Sequence, residues 1–267
     1  MKTKVIFFGN GPLADHALKI LEQNFEIIFH AREKSDLETV KKLKLENPEA
    51  HGILASFGVI IKPDVLELFE PEGILNIHPS LLPKYRGASP IESAILNGDQ
   101  NFSVSIMKLV NAMDAGPIYY QTTFTPKSLN RPDLKSYLYQ ELSETGSKWL
   151  VENLEILPTP IPQNDSEATF TTKLDKSMSP LNPIEKTAKE LLCEIQAFQN
   201  FPKSKIDFYG KECIILAAHA SEIETPLSFK CKDGIYIAVD CLQPAGKKPM
   251  DAKSFLNGYS KTTKNRQ

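Results

Sequence analysis

Apolar and polar positions along the first 155 residues switch repeatedly between strand and helix periods. Val5-Ile6-Phe7-Phe8 is an unbroken apolar run, the pattern of a strand buried on both faces, and Gly9-Asn10-Gly11-Pro12 ends it in a tight turn. Leu13, Ala14, Ala17, Leu18 and Leu21 then recur at helical spacing. Strands are predicted over 25–29, 53–57 and 73–77, with helices over 36–45 and 63–69 between them. A further helix starts at Pro90, strands follow over 102–109 and 118–124, and a long amphipathic helix covers 134–154. This alternation predicts an α/β class, a Rossmann-like domain on a mostly parallel sheet, with function at the carboxyl ends of the strands.

The pattern breaks at Pro158, Pro160 and Pro162, which cannot continue a helix and favour an extended connector. Beyond it one helix is predicted over 184–198. Short strand-like runs follow at 204–209, 212–218, 227–231 and 235–240, with turns such as Tyr209-Gly210-Lys211 and Asp233-Gly234 between them. These predict a small β-barrel of OB-like type. The expected organisation is a catalytic domain over 1–155, a linker over 156–179 and a C-terminal β-barrel domain over 180–267. The polar end, Ser260 to Gln267, is expected to fray.

Bulk composition narrows the picture only slightly. The formal net charge is −2, so no global basic field advertises a nucleic-acid partner. Residues 175–267 nevertheless hold 14 Lys/Arg against 11 Asp/Glu, a weak pointer to RNA in the second half. Cys193, Cys213, Cys231 and Cys241 form no C-x-x-C pair, and the five histidines lack ligand spacing, so no metal is expected. The N-terminal apolar run stops after four residues, too short for a signal core or a membrane span. A cytoplasmic protein without a membrane partner is expected, as a monomer.

The candidate chemistry lies at Asn76-Ile77-His78-Pro79, where a predicted strand ends in a proline-pinned loop. Asp114 stands alone among apolar neighbours in Ala112-Met113-Asp114-Ala115-Gly116. An amide and an imidazole can stabilise a tetrahedral oxyanion, and a carboxylate can orient the imidazole or help to move a proton. No activated nucleophile accompanies them, so direct transfer between two bound substrates is expected. Gly9-Asn10-Gly11-Pro12-Leu13-Ala14 fits the G-x-G-x-x-[G/A] pattern of dinucleotide sites. The acid expected at the end of the second strand is missing, however, and Pro12 sits inside the turn. A plain strand-to-helix turn is the better explanation.

The stretch Asn76 to Ile91, with Ala94-Ile95-Leu96-Asn97-Gly98-Asp99, closely resembles the signature of the 10-formyltetrahydrofolate-dependent formyltransferases. Met113-Asp114-Ala115-Gly116-Pro117 resembles the tail of that family's second motif, with Ala115 in place of a hydroxyl residue. The resemblance implies a catalytic set of Asn76, His78 and Asp114. It also implies a folate-facing loop of Ser80, Leu81, Leu82 and Pro83, and 10-formyltetrahydrofolate as formyl donor.

Leu242 to Met250, with Phe255-Leu256-Asn257-Gly258, resembles the C-terminal signature of the methionyl-tRNA formyltransferases, and Ala168 to Leu174 resembles their connector. The glycinamide-ribonucleotide enzymes share the first motif but lack such a domain. Formyl transfer to the α-amino group of methionyl-tRNA is therefore implied. Lys203, Lys205, Lys211, Lys247 and Lys248, with Arg86 near the active site, are the candidate phosphate contacts. One departure stands out: the family's longer basic insertion after the second strand is replaced by His30-Ala31-Arg32-Glu33-Lys34. A hydrolase releasing formate from the same folate remains an alternative, as do transfer to another amine and a non-catalytic RNA-binding protein.

Overall fold

In the computed structural model, Val5, Ile6, Phe7 and Phe8 are fully buried, as an uninterrupted apolar run requires. They form β1 (Lys4–Gly9), which lies between β2 (Glu26–Ala31) and β3 (His51–Ala55), parallel to both. The structure describes residues 2–259, so the expected frayed end, Ser260 to Gln267, lies outside the described residues. The six-stranded sheet has the order β2-β1-β3-β4-β5-β6. β4 (Ile74–His78) is parallel to β3, whereas β5 (Phe102–Lys108) and β6 (Ile118–Phe124) continue the sheet antiparallel.

The helices follow from the apolar stripes. α1 (Pro12–Asn24) buries Leu13, Ala14, Ala17 and Leu21 and starts with Pro12, whose missing N–H costs nothing at that position. Leu37 and Val40 of α2 (Leu37–Glu46) and Val65 of α3 (Pro63–Leu66) join Ile6, Phe8, Leu54 and Ile74 in one apolar cluster. A short helix, α4 (Pro90–Leu96), follows β4, and α5 (Leu134–Asn153) follows β6. On the opposite face of the sheet, a Cβ on Gly146 of α5 would stand 2.8 Å from Ile77 Cγ2. Side chains alternate along a strand, so Asn76 and His78 extend the Ile74 row on the α2/α3 face.

The chain packs as two units. One comprises the chain up to Ile91 with Gln100–Leu129 and Ser136–Thr172; the other comprises Glu92–Asp99, Asn130–Lys135 and the chain from Lys173 on. In the second unit, α6 (Ala188–Ala197) begins four residues later than the predicted helix. A capping box fixes that start: Thr187 Oγ1 accepts the Glu190 N–H, and the Glu190 carboxylate accepts the Thr187 N–H.

Five strands form a curled antiparallel sheet, a half-barrel. β7 (Lys205–Phe208) and β8 (Lys211–Ser221) make a hairpin, and β10 (Tyr236–Pro244) pairs with β8, β9 (Ser228–Lys230) and β11 (Met250–Asp251). β10 runs past the predicted end at Asp240, through a register shift near Cys241. α7 (Ala252–Tyr259) buries Phe255 in the core formed with Leu191, Ile195, Ile215, Ile237 and Leu242. No helix among the described residues is long and apolar enough to cross a membrane.

Candidate active site

Asn76 and His78 are nearly fully buried, at 5% and 4% exposure, although both are polar. Burying unpaired polar groups is costly, so their environment is informative. The Asn76 backbone is paired on both sides, opposite Leu54 and Met107. Its side-chain amide takes no hydrogen-bond partner among the described residues, which leaves its donors for a ligand. His78 Nε2 lies 3.1 Å from the Tyr85 carbonyl. A carbonyl only accepts, so Nε2 carries a proton and donates it there. The ring can give a second hydrogen bond only from Nδ1, as an imidazolium.

Asp114 faces that nitrogen. Its Oδ2 stands 3.7 Å from His78 Nδ1, too far for a hydrogen bond but at ion-pair distance. The loop bearing Asp114 leaves β5 opposite Leu75 and doubles back to reach His78. Asp114 adopts a left-handed backbone, φ 47°, at a typical cost of about 1–3 kcal/mol. Its Oδ2 accepts the Gly87 N–H at 2.7 Å, a charge-assisted bond typically worth about 1.5–3 kcal/mol. Gly87 itself has φ 113°, and a Cβ there would approach Thr171 Oγ1 to 2.8 Å. Glycine is required on both counts.

The Ser80–Pro83 loop is tied down rather than open. Ser80 Oγ donates to the Lys84 carbonyl, Ser105 Oγ donates to the Ser80 carbonyl, and the Leu82 N–H donates to Ser105 Oγ. Gln121 Nε2 donates to the Leu82 carbonyl at 2.8 Å. The Ser80 hydroxyl is thus engaged within the loop, and Leu81, 42% exposed, is the most open side chain of the four. Ser105 and Gln121, absent from the sequence reading, are neighbours in register on β5 and β6.

Arg86 departs from the expected phosphate contact. It is 4% exposed, and its guanidinium donates to Gln163 Oε1 and to Asp165 Oδ1. Its charge is committed inside the first unit, so it is a brace and not a surface cation.

The stretch expected to run as a bare connector is equally committed. Ile161 exchanges backbone hydrogen bonds with Ile118, and Phe170 bridges Arg86. Thr169 and Thr171 accept the N–H groups of Tyr85 and Ser89. The two-residue spacing of Thr169-Phe170-Thr171 was the available signal for that strap.

In the second unit, Lys203, Lys211, Lys247 and Lys248 are exposed, and Lys205 pairs with Glu212 at 2.9 Å. The Ala245 N–H donates to the Glu212 carbonyl, which brings the turn carrying Lys247 and Lys248 beside the start of β8. Lys205, Lys211, Lys247 and Lys248 therefore share one end of the sheet. The thiols of Cys193, Cys213, Cys231 and Cys241 are pushed up by burial, which keeps them protonated.

Residues 10–154 match the formyl transferase family, and residues 173–260 match the formyl transferase C-terminal domain. A methionyl-tRNA formyltransferase of Dictyoglomus turgidum is 33% identical over 246 residues, covering 85% of this chain and 76% of that protein.

Among solved structures, HypX from Aquifex aeolicus in complex with tetrahydrofolic acid superposes with a TM-score of 0.73 at 19% identity, covering 97% of this chain. The chain spans only 48% of HypX. The methionyl-tRNA formyltransferase of Clostridium thermocellum gives 0.65 at 19% identity, covering 91% of this chain and 99% of that one. WlaRD, a sugar 3N-formyl transferase, gives 0.67 at 20% identity, covering 93% and 100%. At such identities the structures speak for the fold, and the sequence match carries the family. The chain belongs to the formyl transferase family.

Proposed function

We propose that the protein transfers a formyl group from 10-formyltetrahydrofolate to the α-amino group of methionyl-tRNA, the reaction that formylates initiator tRNA for translation. The observation that carries the reading is the open Asn76 amide on the same strand face as His78, with Asp114 Oδ2 3.7 Å from the ring. The amine lone pair attacks the formyl carbon, and the carbonyl pair moves onto oxygen. Asn76 and His78 donate hydrogen bonds to that oxyanion. Asp114 holds His78 and helps to relay the amine proton, through water, to the departing folate nitrogen. Collapse of the oxyanion then breaks the bond to that nitrogen, so no covalent enzyme intermediate forms.

Tetrahydrofolate suits the exposed Leu81 on the loop that follows β4. The methionyl-tRNA acceptor is supported by the match to the family's C-terminal domain and by the lysines gathered at one end of its sheet. The reaction belongs to the cytoplasm, and one chain supplies the groups it needs.

The test is incubation with 10-formyltetrahydrofolate and, in separate arms, charged initiator tRNA, uncharged tRNA and a nucleotide-linked amino sugar. Formyl-methionine is expected with the charged tRNA alone, with free formate at background. Equal formate release without any acceptor would make the protein a hydrolase. Formylation of the sugar alone would move it to another acceptor class.

A further inference from the structure

We propose that Gln163 is a positioning residue that sets the Asp114 carboxylate against His78. This rests on the reading of Asp114 as catalytic. Gln163 Nε2 donates to the Asp114 carbonyl at 2.8 Å and to the Gly116 carbonyl at 2.7 Å. Its Oε1 accepts from Arg86 Nε at 3.1 Å and from Arg86 Nη2 at 2.7 Å.

A primary amide has two N–H donors and two acceptor lone pairs, and all four are used here. The partners also fix which end is nitrogen, since two carbonyls lie on one side and a guanidinium on the other. No other side chain of this length both gives to two carbonyls and receives from a guanidinium. Glutamate lacks the donors, and lysine lacks the acceptor.

The geometry explains what the amide holds. Asp114 Oδ2 accepts the Gly87 N–H, and Gly87 is the neighbour of Arg86. One end of Gln163 therefore holds the backbone of the carboxylate, while the other holds the side chain beside its hydrogen-bond donor. The carbonyls it grips, Asp114 and Gly116, flank Ala115 and restrain the left-handed turn at Asp114 from both sides. Asp165 completes the brace by taking the Arg86 Nη2 at 2.7 Å.

The experiment compares Gln163→Glu with wild type in the full chain, reading kcat, KM and the hydrogen–deuterium exchange of the Gly87 amide. Glutamate keeps the contact with Arg86 but turns an anion toward the Asp114 and Gly116 carbonyls. Gln163→Met removes both donors without adding charge, and it is the measured variant if the glutamate protein does not fold.

The proposal expects faster Gly87 exchange, kcat lowered about 10- to 100-fold and KM for both substrates unchanged. Unchanged exchange with unchanged kcat overturns it. A fall in kcat with Gly87 still protected overturns it too, because Gln163 would then act by another route. Gly87 released with full turnover overturns instead the catalytic reading of Asp114 on which it rests.

Discussion

Asp114 Oδ2 stands 3.7 Å from His78 Nδ1 while it accepts the Gly87 N–H at 2.7 Å. The carboxylate is thus fixed by a backbone donor and faces the ring at ion-pair distance. Asn at this position keeps an oxygen for Gly87 and loses the charge. Asp114→Asn is expected to lower kcat by about 10²- to 10⁴-fold, the range of general acid–base contributions, with only a small fall in melting temperature as the bond to Gly87 loses its charge. Steady-state kinetics beside a thermal melt checks this, and near-normal kcat would remove Asp114 from the reaction.

Asn76→Ala and His78→Ala remove the proposed oxyanion donors. Each is expected to cost about 2.7–4 kcal/mol of barrier, or roughly two to three powers of ten in kcat. Asn76 makes no side-chain hydrogen bond among the described residues, so its replacement should leave the circular dichroism spectrum and the melting curve in place. His78→Ala frees the Tyr85 carbonyl and is expected to lower stability modestly as well. Full turnover in both variants is incompatible with the proposed roles.

Gly116 is needed for a different reason. A Cβ there would overlap the Lys108 carbonyl at the base of the Asp114 loop, and backbone cannot turn aside as a flexible side chain can. Gly116→Ala is expected to cost about 1–3 kcal/mol, as overpacking does, and to lower kcat because the carbonyl that Gln163 grips must move. Urea denaturation reads the first effect, and an unchanged midpoint would contradict the close approach.

Much of this site was legible because its signals are local. Asn76 and His78 are two residues apart on a strand, so alternation alone puts them on one face, and the apolar run before them announces a strand end. The Gln163–Arg86 clamp joins residues 77 positions apart, and neither carries a local mark of it. Arg86 read as a candidate phosphate contact near the active site because sequence shows charge and not burial. The later start of α6 was written in Thr187 and Glu190, a capping box at the required spacing, but the apolar pattern upstream, from Ile184, outweighed it. β10 overran Asp240 because partners on β8 and β11, not its own alternation, set its length.

Lys247 and Lys248 test the nucleic-acid side independently of the chemistry. Each lysine that neutralises a phosphate adds about 0.7–0.9 to the slope of log affinity against log salt. Binding of methionyl-tRNA is expected to weaken steeply as salt rises, and Lys247→Ala with Lys248→Ala should flatten that slope by roughly one to two. Fluorescence titration across a salt series measures it. A slope unaltered by the double variant takes both residues off the phosphate backbone.

The central claim is that His78 and Asp114 act as one unit on a single transferred formyl group. A double-mutant cycle tests it most directly: single-turnover rates of formyl transfer for wild type, His78→Ala, Asp114→Asn and the double variant. Residues that act as a unit are strongly non-additive, so the double variant should be about as slow as the slower single variant. Losses that multiply in full would mean the two side chains work separately, contradicting the account.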